Sequence, residues 1–331
     1  MKKIRIAQFG LGPIGIETLR LAATKPWAEI VGAIDIDPAK MGRDLADLTG
    51  LKKLRGRKVW ASLTELVARK KPDLIFHTAV SKFKLAYPQI EPIARAGISV
   101  VSSCEELLYP YLREPVLADR LDKLCRKAPA RVVATGVNPG FVMDLLPICL
   151  TGVSREVEAV HVQRVVNAST RREPLQRKIG CGLAQAEFRR RFKAGLAGHA
   201  GLKESLALIA HALGWKLAGI TETGDAVVAD HDIKTKFLEV KKGQTCGLHQ
   251  HAEAKVKGKV RLTLDLRMYL DAENPHDAIQ IEGEPRLDVV INGGIAGDQA
   301  TVAALVNTAP HLLEGPPGLL LMTDLVVPHT A

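Results

Sequence analysis

Aromatic residues make up only 4% of this 331-residue sequence, and its five cysteines are widely spaced and never arranged as CxxC. So few aromatics leave little for the base stacking of a nucleic-acid binder. An odd, scattered cysteine set excludes a disulfide framework and reads as free thiols in a reducing compartment. No stretch approaches the roughly 18 uninterrupted apolar residues of a membrane span. The apolar run that opens the chain is broken at Gly10, too early for a signal-peptide core. Internal repeats and low-complexity linkers are missing as well. These absences exclude membrane-spanning, collagen-like and disordered classes, and they predict a cytoplasmic protein with no membrane partner.

What is present is an ordinary globular composition, 47% hydrophobic and 25% charged, with a net charge of +10. At roughly 150 residues per domain the length suggests about two domains. The basic surplus leaves nucleic acid, an anionic lipid surface or an anionic small molecule open as partners. Much of it is local: residues 164–193 hold nine Lys or Arg against Glu173 and Glu187. Such a cluster serves an anionic group, a subunit contact or a solvated helix face better than it serves a general affinity for nucleic acid, and no nucleic-acid partner is predicted.

Up to about residue 134, short apolar runs alternate with amphipathic segments, the pattern of a parallel sheet with crossover helices. Strands are expected at 4–9, 30–34, 59–60, 74–76, 99–101 and 132–134, and helices at 14–23, 62–68, 85–96 and 115–127. After residue 150 the texture changes. Val260, Leu262, Leu264, Leu266 and Met268 alternate with Arg261, Thr263, Asp265 and Arg267, which marks a strand with one dry and one wet face. Further strands are expected at 279–281 and 287–291, and helices at 183–192 and 202–213. The expected fold is α/β: a Rossmann-type doubly wound parallel sheet in residues 1–145, then an α+β domain on a mixed or antiparallel sheet in residues 146–297.

Gly10, Gly12 and Gly15 form GxGxxG directly after the first strand, with Pro13 and Ile14 opening a helix. The first glycine allows the tight turn, the second lets the backbone approach a pyrophosphate, and the third lets helix and strand pack closely. The helix N-terminus supplies unpaired N–H groups and a positive dipole end. Asp35 stands twenty residues after Gly15, where a carboxylate would accept the ribose hydroxyls and repel a 2′-phosphate. The expected cofactor is therefore NAD. Lys40 and Arg43 would tolerate NADP, although they also read as a solvated helix face.

In open α/β sheets the ligand lies beyond the carboxyl ends of the strands. Thr78 and Ala79 follow the fourth strand and are small enough for close approach, while His77 reads as a hydrogen-bonded strand-end histidine. Ser102, expected at the cofactor, leads into Glu105 and Glu106, a carboxylate pair suited to a cationic or amine substrate. One of the two is expected to be merely a first-turn helix acid. Thr135 to Phe141 form a shaped turn in which groups around Asn138 face the nicotinamide and Phe141 borders the substrate.

These segments resemble the family of 2,4-diaminopentanoate dehydrogenase and the related native amine dehydrogenases, distant relatives of dihydrodipicolinate reductase. The resemblance rests on Gly10 to Gly15, on Cys104-Glu105-Glu106-Leu107, on Gly136-Val137-Asn138-Pro139-Gly140-Phe141, on Gly198-His199-Ala200-Gly201-Leu202 and on Gly293-Gly294 with Gly297-Asp298. It implies oxidative deamination of an amine to a ketone plus ammonia and the reverse reductive amination, with Glu105 as the acid/base residue and Glu106 beside it at the substrate. It implies substrate contacts from the second domain, for which Asn167, Gln176 and His199 are the candidates. Relatives often carry an acid in place of Asn167. The family also implies that residues 298–331 return to the first domain, bringing Thr301 toward the nicotinamide, and that the protein is a homodimer.

Two other readings are weighed. A dihydrodipicolinate reductase-like imine reductase would need a His-His pair, a Lys and a Ser-Gly-Thr turn, which the sequence lacks. A non-catalytic nucleotide sensor or nucleic-acid binder would use the basic surface, but no recognition motif is visible. Cys246, His249 and His251 have no further ligand at suitable spacing, so no metal is expected.

Overall fold

The computed structural model describes residues 3–330 and divides into two compact units. The first comprises the chain up to Phe141 together with the chain from Ala296 on, and the second is Val142–Ile295. The boundary thus falls a few residues before 145, and the return a little before 298.

The first unit is built on strands β1 (Ile4–Phe9), β2 (Ala28–Ile34), β3 (Val59–Trp60), β4 (Leu74–His77), β5 (Ser99–Ser102) and β6 (Arg131–Ala134). A last short strand, β15 (Gly318–Leu319), completes a parallel seven-stranded sheet in the order β15-β6-β5-β4-β1-β2-β3. The order reverses at β1, which makes its carboxyl end the topological switch point. Helices Phe83–Arg95 and Pro115–Lys127 cover one face, burying Phe83, Ile90, Ile93, Ala118 and Leu121 against Ala7, Ile75, Val100 and Val132. Helix Gly297–Glu314 packs on helix Pro13–Ala22 and on β5 and β6. Its buried Val302, Leu305, Val306, Ala309 and Leu312 recur at helical spacing, and a fully buried leucine of this kind is worth about 1.5–3 kcal/mol.

The second unit holds β7 (Glu156–Asn167), β8 (Leu217–Val228), the small pair β9 (Ile233–Lys234) and β10 (Glu239–Val240), β11 (Thr245–Val256), β12 (Lys259–Tyr269), β13 (His276–Glu284) and β14 (Leu287–Asn292). Six of these form one sheet in the order β14-β13-β7-β12-β11-β8. Only the β7–β12 pair is parallel; its other pairings are antiparallel. Leu262, Leu264, Leu266 and Met268 of β12 are buried on one face, where helix Leu202–Ala212 lies on β8, β11 and β12. Arg164 of β7 is fully buried and meets Asp277 of β13 through Nη1 at 2.8 and 2.9 Å, while its Nη2 donates to the Ile295 carbonyl. That pair joins two neighbouring strands to the end of the unit.

Candidate functional site

At the switch point, Gly10 adopts φ +87, a left-handed conformation that suits glycine. A Cβ at Gly15 would stand 2.0 Å from the Gly10 carbonyl oxygen, so helix and turn touch as closely as backbone allows. A Cβ at Gly12 would meet nothing within 4 Å. The N-terminus of helix Pro13–Ala22 has no side-chain cap, and its second glycine borders open space. This cradle fits the pyrophosphate of a dinucleotide.

The neighbours expected at the cofactor hold this turn in place. Asp35 accepts from the Leu11 N–H at 2.7 Å and from the Asp37 N–H at 2.9 Å, tying the end of β2 to the glycine turn. Lys40 Nζ lies 3.5 Å from Asp35 and 3.1 Å from Asp37, so it is ion-paired within its own loop. Thr78 Oγ1 donates to the Gly10 carbonyl at 3.0 Å and accepts from Gln8 Nε2 at 2.8 Å, which supports the turn from below. Ala79 is exposed beside it.

Ser102 differs from expectation. Its hydroxyl is wholly buried, stands 2.9 Å from His77 Nδ1, and accepts from the Cys104 N–H at 3.1 Å. Enclosed in this way, it anchors the turn that follows. His77 Nε2 lies 2.8 Å from Gln89 Oε1, an acceptor, so the proton sits on Nε2 and Ser102 donates to Nδ1. Burial pushes the pKa of His77 down and keeps the ring neutral. The chain Gln89–His77–Ser102–Cys104 was not visible as a unit in the sequence, because its members lie in three separate segments.

The two glutamates separate by environment. Glu106 Oε2 accepts from the Phe83 N–H at 2.9 Å, capping helix Phe83–Arg95, and Oε1 lies 3.6 Å from Arg113 Nε. The Glu106 N–H donates to the Ser81 carbonyl. It is therefore a capping acid rather than a substrate ligand. Glu105 opens the 3₁₀ turn Glu105–Leu108 and is half-buried, and its carboxylate has no hydrogen-bond or ion-pair partner among the described residues. Its carboxylate is the one available for chemistry.

The turn of Thr135 to Phe141 contains a cis Asn138-Pro139 bond and leaves Phe141 half-buried. Thr301 of helix Gly297–Glu314 reaches it, with Oγ1 accepting from the Val137 N–H at 3.3 Å. So the returning helix braces the Asn138 turn.

In the second unit, two expected substrate residues are engaged elsewhere. Gln176 is fully buried: its Nε2 faces the carbonyls of Ala168, Ser169 and Arg171 at 2.9–3.1 Å, and its Oε1 accepts from Thr235. An amide so enclosed is a loop staple and cannot meet a substrate. Asn167 Nδ2 donates to the Ala272 carbonyl while Oδ1 accepts from the Ser169 N–H at 2.9 Å, a local Asx turn. His199 has its backbone N–H and carbonyl held by Gln250, and its side chain is half-buried.

The basic stretch 164–193 is largely ion-paired. Arg164 is buried with Asp277, Arg177 meets Glu173, Arg189 lies 3.7 Å from Asp225, and Arg190 and Arg191 share Glu187. His249 Nε2 meets Asp265 Oδ2 at 2.6 Å, and no group of three or more His, Cys, Asp or Glu among the described residues could hold a metal ion.

The model of the 2,4-diaminopentanoate dehydrogenase C-terminal domain matches residues 141–331. The chain is 31% identical over 336 residues to 2,4-diaminopentanoate dehydrogenase of Acetoanaerobium sticklandii, covering 99% of this chain and 95% of that protein. The chain belongs to the 2,4-diaminopentanoate dehydrogenase family. It is also 25% identical to an amine dehydrogenase of Streptomyces virginiae, covering 96% of this chain and 94% of that one. The solved structure of an amine dehydrogenase from Mycobacterium smegmatis superposes with a TM-score of 0.87 at 24% identity, over 99% of this chain and 97% of that one, so the two share a fold.

Proposed function

We propose that the chain is an NAD-dependent amine dehydrogenase that converts an amine to a ketone plus ammonia and runs in reverse as a reductive amination. Family membership supports the reaction class, and the contrast between Glu105 and Glu106 carries the assignment of the acid/base residue. Gly10, Gly12, Pro13, Ile14 and Gly15 would hold the dinucleotide phosphates, Asp35 would border the adenosine ribose, and Thr78 and Ala79 would flank the cofactor. Asn138, Phe141 and Thr301 would shape the nicotinamide end of the site. Bound there, the nicotinamide supplies the hydride acceptor and donor.

Glu105 holds the substrate ammonium and takes one of its protons, so the nitrogen lone pair can support the carbon as the C–H bond breaks. In the reverse direction the same carboxylate binds the incoming ammonium, frees it as a nucleophile by taking a proton, and returns that proton as water departs. A positioned acid/base of this kind is worth about 10²–10⁴-fold in rate. Of the three second-unit candidates, His199 is the one proposed as a substrate contact. The A. sticklandii relative is named for 2,4-diaminopentanoate, which makes an amine of that class the first to test.

The five free cysteines suit work in a reducing cytoplasm, and no helix among the described residues is long and apolar enough to cross a membrane. The wet face of the six-stranded sheet, with Val290 58% exposed, is the proposed homodimer surface. The test is spectrophotometric: NADH oxidation that requires both ammonia and a ketone, and NAD reduction by 2,4-diaminopentanoate or simpler amines. Activity with neither set, in protein that binds NADH, would rule the reading out.

A further inference from the structure

The first unit carries a second cationic concavity away from the glycine turn. Residues 52–71 hold eight Lys or Arg against the single acid Glu65. Four of these, Arg57, Lys58, Arg69 and Lys70, line a cleft of about 480 Å³ together with Val31, Gly56 and Trp60. Arg57 and Lys58 immediately precede β3, and Arg69 and Lys70 close helix Leu63–Arg69. The end of the helix lies at the amino edge of the strands, whereas β3 pairs with the carboxyl half of β2, Val59 beside Ala33 and Trp60 beside Ile34, on the outer edge of the sheet.

Acids outside the stretch face some of these charges: Arg57 and Lys70 act on Glu29, and Lys58 acts on Asp44. The Lys58 carbonyl accepts from the Ala33 N–H at 3.1 Å, while its side chain makes no hydrogen bond or ion pair among the described residues. Arg57 donates through Nε to the Ile30 carbonyl at 2.9 Å, which leaves both its terminal nitrogens. Arg69 lies over the Trp60 ring, 5.8 Å from its centroid, rather than beside an acid. Lys70 does meet an acid, Glu29, at 2.5 Å. Val31 and the half-buried Trp60 form an apolar floor beneath these cations. Guanidinium forks and ammonium groups recognise phosphate oxygens, and an apolar floor accepts a ring. The volume lies in the range of small-molecule sites, about 300–1,000 Å³, so it admits more than a lone phosphate.

We propose that this cleft binds a nucleoside polyphosphate at a site separate from the cofactor. The test is calorimetric titration of the full-length protein with ATP, AMP and tripolyphosphate, carried out with saturating NADH so that the glycine turn is occupied. ATP binds more tightly than AMP and tripolyphosphate, and its affinity falls as salt is raised. Lys58→Glu combined with Arg69→Glu weakens ATP about tenfold or more, the loss of roughly one charge-assisted hydrogen bond, while NADH affinity stays unchanged. Lys58→Gln, a milder exposed change, weakens it in the same direction. Trp60→Leu weakens ATP but leaves tripolyphosphate as it was. No ATP binding in NADH-saturated protein, or equal ATP affinity in the charge variants, overturns the site. Equal affinity for ATP and tripolyphosphate overturns recognition of the ring.

Discussion

His77 Nδ1 and Ser102 Oγ stand 2.9 Å apart, and this contact joins the carboxyl ends of β4 and β5 beneath the turn that presents Glu105. Ser102→Ala would leave the ring nitrogen and the Cys104 N–H without that hydroxyl, at a cost of about 1–3 kcal/mol for buried groups left unsatisfied. The expected outcome is a kcat lowered about tenfold or more by a displaced carboxylate, with NADH affinity retained. The same histidine imposes a pH dependence on stability. Because burial lowers its folded pKa, the unfolded chain binds the extra proton first, and stability falls as pH drops below about 6.5. Urea titrations from pH 7.5 to 5 should show His77→Gln losing a component of up to about 1.4 kcal/mol per pH unit. Parallel curves for the two proteins would refute a neutral buried ring.

The glutamate pair gives a sharper separation. Glu105→Gln should lower kcat about 10²–10⁴-fold with the melting temperature and NADH binding preserved. Glu106→Gln should instead cost about 1 kcal/mol of stability, since it weakens the cap on the Phe83 N–H, and should spare most of the turnover. Steady-state kinetics and thermal melts on the two variants decide the matter, and reversed phenotypes would exchange the roles.

Two glycines of one motif should behave oppositely. Gly12→Ala adds a methyl group to open space, so the fold should melt as before while NADH affinity drops as the methyl meets the phosphates. Gly15→Ala drives a Cβ against the Gly10 carbonyl and should destabilise the unit by several kcal/mol, visible as lost soluble yield or an early melt.

The nucleotide-binding sheet was legible because its signals are local. β1, β3 and helix Pro115–Lys127 fall at the expected residues, since each is a short apolar run or stripe bounded by turn residues. The long strands β7, β8 and β11 were not legible. β11 buries Gln250, Ala252 and Ala254 on its inner face, and β7 buries Arg164, so their alternation carries little hydrophobic contrast. Gln176 misled for a related reason. A buried amide surrounded by carbonyls and a substrate-binding amide have the same one-letter signature, and only the partners brought in by β9 and the loop after β7 distinguish them. Which glutamate is free was likewise decided by the Phe83 N–H, twenty-three residues upstream.

The cofactor unit is interrupted in sequence by the whole of Val142–Ile295. A ribosome therefore makes the second unit completely before it makes helix Gly297–Glu314 and the edge strand Gly318–Leu319. Until then the nascent first 141 residues expose the edge of β6 and the sheet face that the helix will cover, which are surfaces open to chaperones and to mispairing. Although it begins the chain, the cofactor unit is the later of the two to be finished.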